Sequence, residues 1–184
     1  LDVFSLSDAM KGVTHVYHCA AVVSMNSSDG EKMIQANVTG TANLINSALE
    51  NKVQKLCYVS SVAALGVEKG KDINEETPWN DESNVSAYAI SKYLSENEVW
   101  RAAQEGLNVV VVNPTIVIGP GNRHRSSGLL LKAAGKGLRW YSNGGMGYVD
   151  VRDVSRCMAT LMDSEDKKQK FIVSSENLSY KKFM

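Results

Sequence analysis

The sequence predicts an α/β fold built on a parallel sheet, and three observations carry that reading. Three short runs, 13–23 (VTHVYHCAAVV), 55–61 (KLCYVSS) and 107–114 (LNVVVVNP), are nearly continuous in apolar residues and rich in Val and Tyr. Such runs suit strands buried on both faces, as parallel strands are. Helical patterns separate them, and strand, helix, strand, helix, strand in that order builds right-handed crossover units. The chain has 184 residues, 43% of them apolar, enough for one domain with a core of its own.

The elements follow in order. A short helix over 5–10 precedes the first strand, with Gly12 after it. Ile34, Val38, Ile45 and Leu49 share one face of a helix over about 31–51. A second long helix covers about 86–104, and Gly106 is placed to end it. The stretch 68–86 between strand and helix is rich in charge and Asn, with Pro78, and reads as a surface loop. Pro114 cannot continue a central ladder, so the chain leaves the sheet there. Beyond it, Gly119, Gly121, Gly135, Gly137, Gly144, Gly145 and Gly147 punctuate short segments. These are a helix over 127–134, a strand over 148–151, a helix over 153–162 and a strand over 171–174. Asp150, Arg152 and Asp153 form a charge cluster at a helix start, with Asp153 as the expected N-cap. The chain starts at Leu1, not Met, and its last six residues read as a cap and the first turn of an unfinished helix, so both ends read as cuts.

Composition excludes several function classes. Twenty basic residues balance twenty acidic ones, which argues against a nucleic-acid binder. The small basic clusters, Lys167-Lys168 with Lys170 and Arg123-His124-Arg125, read as solvated surface. No apolar run approaches the roughly 18 residues that cross a bilayer, so no membrane association is expected. Cys19, Cys57 and Cys157 are odd in number and far apart, and no His is spaced to join them around a metal. That pattern suits a reduced, cytoplasmic compartment, with Cys19 and Cys157 as buried small residues. Two N-x-[ST] sequons, at Asn37 and Asn177, come without a signal peptide and are read as chance. Trp79, Trp100 and Trp140 read as packing or substrate-domain residues, and His15 and His124 carry no catalytic argument.

The chemistry gathers elsewhere. Tyr88 and Lys92 are four residues apart on the second long helix and share a face. A tyrosine with a pKa of about 10 is a poor acid–base catalyst at neutral pH, and an adjacent ammonium group would lower that value. Alone the pair is a weak signal, since with 7 tyrosines in the chain chance supplies about half of such a match. Its context strengthens it. Ser60-Ser61 ends the second strand, at the edge of an open parallel sheet where ligands bind, and the Ser61 hydroxyl can hold the oxygen that Tyr88 protonates. His18-Cys19-Ala20-Ala21 ends the first strand with small residues, allowing a flat ligand close to backbone. Asn37, early in the first long helix, can bridge backbone groups or a ligand hydroxyl. Asn113-Pro114-Thr115 ends the third strand at the same edge.

These residues resemble the extended short-chain dehydrogenase/reductases, the NAD-dependent epimerase/dehydratase family. The match covers nearly the whole chain: HCAA at 18–21, NVTGTANL at 37–44, YVSSVAALG at 58–66, YAISK at 88–92, NPTIVIGPG at 113–121 and YVDVRDV at 148–154. The resemblance implies a Rossmann-like doubly wound parallel sheet with part of a small C-terminal substrate domain. Residues 1–118 would be the later part of a dinucleotide-binding domain, and 119–184 a partial substrate domain with returning Rossmann elements. Tyr88 would be the catalytic acid/base. Lys92 would lower its pKa and hydrogen-bond the nicotinamide ribose, and Ser61 would orient the substrate oxygen. Ala20, Ala21, Asn37, Pro114 and Ile116 would contact an NAD or NADP cofactor, with a small molecule as substrate. The family often forms homodimers through two helices, one of them the Tyr88 helix.

Two departures from the family pattern matter. The glycine-rich G-x-x-G-x-x-G fingerprint is absent, and comparison with the family places Leu1 just after its third strand. The first predicted strand would then leave an open apolar edge. The 184-residue polypeptide is therefore expected to be inactive and to bind dinucleotide poorly. Nucleotide-sugar members also carry an arginine before the YVxV-type strand, where this chain has Asn143-Gly144-Gly145-Met146-Gly147-Tyr148, although Arg123 or Arg125 could supply a phosphate contact. The leading expectation is an oxidoreductase of the dihydroflavonol-reductase-like branch, passing a hydride between nicotinamide and a ketone or secondary alcohol. The alternatives are a nucleotide-sugar epimerase or dehydratase of the same family, and a non-catalytic binding protein on this fold.

Overall fold

The structure, a computed structural model, describes residues 2–24, 26–67, 70, 72–80, 85–120, 127–135 and 143–183. Its elements run α1 (Val3–Met10), β1 (His15–His18), α2 (Gly30–Glu50), β2 (Lys55–Val59), α3 (Ala87–Gln104), β3 (Asn108–Pro114), β4 (Ile116–Ile118), α4 (Ser127–Ala134), β5 (Gly145–Asp150), α5 (Val151–Asp163), β6 (Gln169–Val173), β7 (Glu176–Ser179) and α6 (Tyr180–Phe183). Four strands in the order β1-β2-β3-β6 form one sheet, and every pairing in it is parallel.

Helices cover both faces of that sheet at its centre, which is why β2 and β3 read as nearly unbroken apolar runs. Alternate residues go to opposite faces. Leu56, Tyr58, Val109 and Val111 pack with Ile45, Ala48, Val99, Ala102 and Ala103 of α2 and α3. Cys57, Val110 and Val112 pack with Val154, Met158, Leu161 and Met162 of α5 on the other side. Residues 151–173 thus return to the first sheet and complete the α/β sandwich. Lys55 is buried at its base, where Nζ donates to the carbonyls of Leu161 and Ser164 at 2.6 Å each and closes the end of α5.

The second sheet, β4-β5-β7, has parallel and antiparallel pairs. Glycine makes it possible: a Cβ at Gly145 would stand 2.5 Å from the Leu178 carbonyl oxygen, and one at Gly147 would stand 2.5 Å from Thr115 Cγ2. The glycines at 144–147 therefore serve strand approach. Pro114 is the last residue of β3, opposite Val173, and the chain enters the second sheet two residues later.

Three expectations need correction. The first strand covers four residues and not the whole of 13–23, because the backbone N–H and C=O of Val22 are taken by the Asn37 side chain instead of a ladder. The N-cap of α5 is Asp150, whose carboxylate accepts from the Arg152 N–H, while Asp153 sits in the first turn and pairs with Arg156. Cys19 is exposed, whereas Cys57 is buried in the core. Among the described residues, no helix is long and apolar enough to cross a membrane, and no group of three or more His, Cys, Asp or Glu could hold a metal ion.

Candidate active site

The carboxyl ends of β1, β2 and β3 meet the first two turns of α3 around a cavity of about 210 Å³. Its wall includes Cys19, Ala21, Ser60, Ser61, Tyr88 and Lys92, closed on the third-strand side by Pro114, Thr115 and Val117. This is the edge where an open parallel sheet binds ligands. The Ser86 hydroxyl caps α3 by accepting from the Ala89 N–H at 3.2 Å, so the helix begins one residue before Tyr88 and aims Tyr88 and Lys92 at the strand ends.

Each polar group has a defined partner. Ser61 Oγ accepts from the Ala63 N–H at 3.2 Å, opening a short 3₁₀ turn over Val62–Ala64, and also meets the Tyr88 hydroxyl. Lys92 is buried, and its Nζ donates to the Val59 carbonyl at 2.8 Å and lies 5.2 Å above the Tyr58 ring centroid. Burial pushes the Lys92 ammonium down to about 8, against the pull of Cys19 and Glu96. The Tyr88 phenol moves the opposite way to that expected from a lysine one turn along. Burial raises it, and the hydrogen bond with Ser61 only partly offsets this.

The remaining expected residues divide. Ala21 and Pro114 line the cavity, whereas Ala20 lines an adjacent groove of about 430 Å³ between α1, α2 and the end of β1. Asn37 borders that groove, but its amide is committed: Oδ1 accepts from the Val22 N–H at 2.7 Å, and Nδ2 donates to the Val22 carbonyl and to Ser91 Oγ. Ile116 is not in the wall. It lies half-buried in β4 opposite Tyr148, and alternation gives the wall to Thr115 and Val117 instead. Trp79 stacks on Tyr93 at 4.4 Å, and Trp100 packs on the core. Leu1, Arg123, His124, Arg125, Trp140 and Met184 lie outside the described residues.

One participant had no individual sequence signal. Glu96 is buried beneath the site, and Ser60 Oγ at 2.7 Å, Asn113 Nδ2 at 3.0 Å and Trp100 Nε1 at 3.2 Å donate to it. The signal that could have found it is spacing, since Tyr88, Lys92 and Glu96 are four residues apart in turn on one helical face.

Comparison with known proteins agrees with this architecture. A model of the NAD dependent epimerase/dehydratase family matches residues 1–174. A putative dihydroflavonol 4-reductase of Synechocystis is 35% identical over 153 residues, 82% of this chain and 45% of that protein. Cinnamoyl-CoA reductase 1 of Petunia hybrida is 30% identical over 189 residues, 97% of this chain and 56% of the relative. The crystal structure of a protein named gox2253 superposes with a TM-score of 0.88 at 35% identity, covering 99% of this chain and 57% of that one. The chain thus spans about half the length of the relatives it matches.

Proposed function

The chain belongs to the NAD-dependent epimerase/dehydratase family, and from that premise we propose that Ser61, Tyr88 and Lys92 carry proton transfer in an NAD(P)-dependent oxidoreductase acting on a ketone or secondary alcohol. The observation that carries the reading is the convergence of the three side chains, from the exit of β2 and from α3, on one cavity at the strand ends. The chain's own residues fit a nicotinamide there. Lys92 Nζ uses one of its three N–H bonds on Val59, and the small Ala21 beside Pro114 lets a flat ring approach backbone. When bound, the nicotinamide supplies or accepts the hydride.

The protein's part is to hold one oxygen and move one proton. Ser61 Oγ donates to the substrate carbonyl oxygen and fixes its place beside Tyr88. Burial keeps Tyr88 in its phenol form at neutral pH, so it stands ready to give a proton to the developing alkoxide in the reducing direction. Below pH of about 8 the Lys92 ammonium is charged and stabilises the phenolate that remains. The names of the two relatives suit this direction, because both are reductases.

The test is Tyr88→Phe in the intact protein, assayed with both nicotinamide cofactors against a panel built around dihydroflavonols and cinnamoyl-CoA. Turnover should fall by about 10²–10⁴-fold, the range for a positioned acid–base group, while cofactor affinity is kept. Undiminished turnover would overturn the assignment. Thermal protection by UDP- or dTDP-sugars with no net redox turnover would point instead to epimerase or dehydratase chemistry.

A further inference from the structure

Beneath the cavity lies a buried carboxylate that the proton-transfer set does not itself use. Glu96 sits one turn beyond Lys92 on α3, its side chain 5% exposed. Its two oxygens divide their partners. Oε2 accepts from Ser60 Oγ at 2.7 Å and Asn113 Nδ2 at 3.0 Å; Oε1 accepts from Trp100 Nε1 at 3.2 Å and faces Lys170 Nζ of β6 at 3.7 Å. Each of these neighbours brings a donor to the carboxyl group, so both oxygens act as acceptors.

What this arrangement fixes is the exit of β2. The strand ends at Val59, so no sheet ladder defines Ser60 and Ser61 beyond a single backbone bond from the Ser60 N–H to the Val112 carbonyl. Three consecutive residues are instead tied to α3. Lys92 Nζ holds the Val59 carbonyl, Glu96 holds Ser60 Oγ, and Asn113 Nδ2, itself bonded to Glu96, holds the Ser61 carbonyl at 3.0 Å. Asn113 cannot turn its amide around, because its oxygen would then face two acceptors. A buried charge is costly, and a whole buried network of this kind can often be replaced by well-packed apolar groups without loss of stability. Stability alone therefore gives a weak reason for a carboxylate at this place.

We infer that Glu96 is a positioning residue: it sets Ser61 opposite Tyr88 by fixing Ser60 and Asn113, and it places a negative charge one turn from Lys92. This rests on the reading of Ser61, Tyr88 and Lys92 as the proton-transfer set. The charges and titratable groups around the two side chains support it. Lys92 is faced by His18 at the end of β1, by Cys19 just beyond it, by Tyr58 of β2 and by Glu96 of its own helix, and shares the cavity wall with Tyr88; Glu96 is faced by Tyr58, Lys92 and Lys170. Of these, Glu96 is the carboxylate pulling the Lys92 ammonium upward.

The experiment compares Glu96→Gln, the double variant Glu96→Gln with Lys170→Met, and Tyr88→Phe in the intact protein. Glu96→Gln keeps shape but removes charge and an acceptor. It should lower kcat at least tenfold with KM for the cofactor within twofold, and move the alkaline limb of the pH profile to lower pH. Lys170→Met removes the ammonium left unpaired, so the double variant should recover the melting temperature while kcat stays low. It also reports if Glu96→Gln alone does not fold. Recovery of kcat together with the melting temperature, or kcat within twofold of wild type in Glu96→Gln, overturns the inference. If Tyr88→Phe retains turnover, the failure belongs to the proton-transfer reading and not to Glu96.

Discussion

His18 is a buried imidazole at the end of β1, its Nε2 within 3.0 Å of Thr41 Oγ1 and its ring 5.3 Å from that of Tyr58. Burial, reinforced by the positive charge of Lys92, pushes it down to about 4 from an ordinary value of 6.5. Between those values the unfolded chain binds a proton that the folded chain refuses. Stability therefore rises with pH across the window: it is fully present above about 6.5 and is lost as pH falls toward 4. The loss is of the order of 3 kcal/mol at the acid end. His18→Gln should flatten this acid limb in denaturant unfolding at pH 4.5 and 7, and an unchanged slope would show that another group drives it. At this scale the sequence was legible where spacing alone places a side chain. Tyr88 and Lys92 share a helical face, and Ser61 ends an apolar run. Glu96 was not legible, because a glutamate in a helix reads as solvated until Ser60 at the exit of β2, Asn113 of β3 and Lys170 of β6 arrive around it.

At the scale of elements, the exit of β2 is held from its far side as well. Gly66 follows the 3₁₀ turn, and a Cβ there would stand 1.8 Å from the Pro78 carbonyl oxygen and 2.9 Å from its carbon. Asn80 bonds both the N–H and the carbonyl of Val67, and Glu75 accepts from the Ile172 N–H on β6 at 2.8 Å. The stretch read as a surface loop is therefore fastened to the body of the fold at Glu75 and at Asn80. Gly66→Ala must push backbone apart and should cost about 1–3 kcal/mol, the usual range for overpacking. Chemical denaturation should show it; stability within 0.5 kcal/mol of wild type would mean that the loop gives way freely. The long elements were readable because their period is strong: the apolar run of β3 and the stripe of α2 need no tertiary partner to be recognised. β7 was not, since Leu178 is its one apolar residue and its partner is a glycine-containing strand. The cap of α5 was misplaced by one turn because three charged residues compete for it, and only the backbone of Arg152 decides in favour of Asp150.

For the whole molecule, the parallel α/β sheet followed from element order and its doubly wound form from the family resemblance, but the return of β6 to the side of β3 depends on how α5 packs, and its short apolar run of three residues cannot announce a neighbour. The same whole-molecule view bears on cofactor binding by the 184-residue polypeptide. A dinucleotide's pyrophosphate is held by a helix N-terminus opened by a glycine-rich turn. Here α1, α2 and α5 each begin on an aspartate, Asp2, Asp29 and Asp150, whose charge opposes an anion at the positive end of the helix. The start of α3 is occupied by the Ser86 hydroxyl, and the residues leading into α4 lie outside those described. The cavity of about 210 Å³ is smaller than the roughly 300–1,000 Å³ of ordinary ligand sites, and the adjoining groove of about 430 Å³ carries Asp2, an acidic neighbour for a pyrophosphate, on its wall. Calorimetric titration of this polypeptide with NAD and NADP should therefore give no micromolar binding. A micromolar dissociation constant would mean that Lys92, Ala21 and Pro114 suffice to anchor the cofactor by its nicotinamide end, and that the pyrophosphate contributes far less than a helix N-terminus normally supplies.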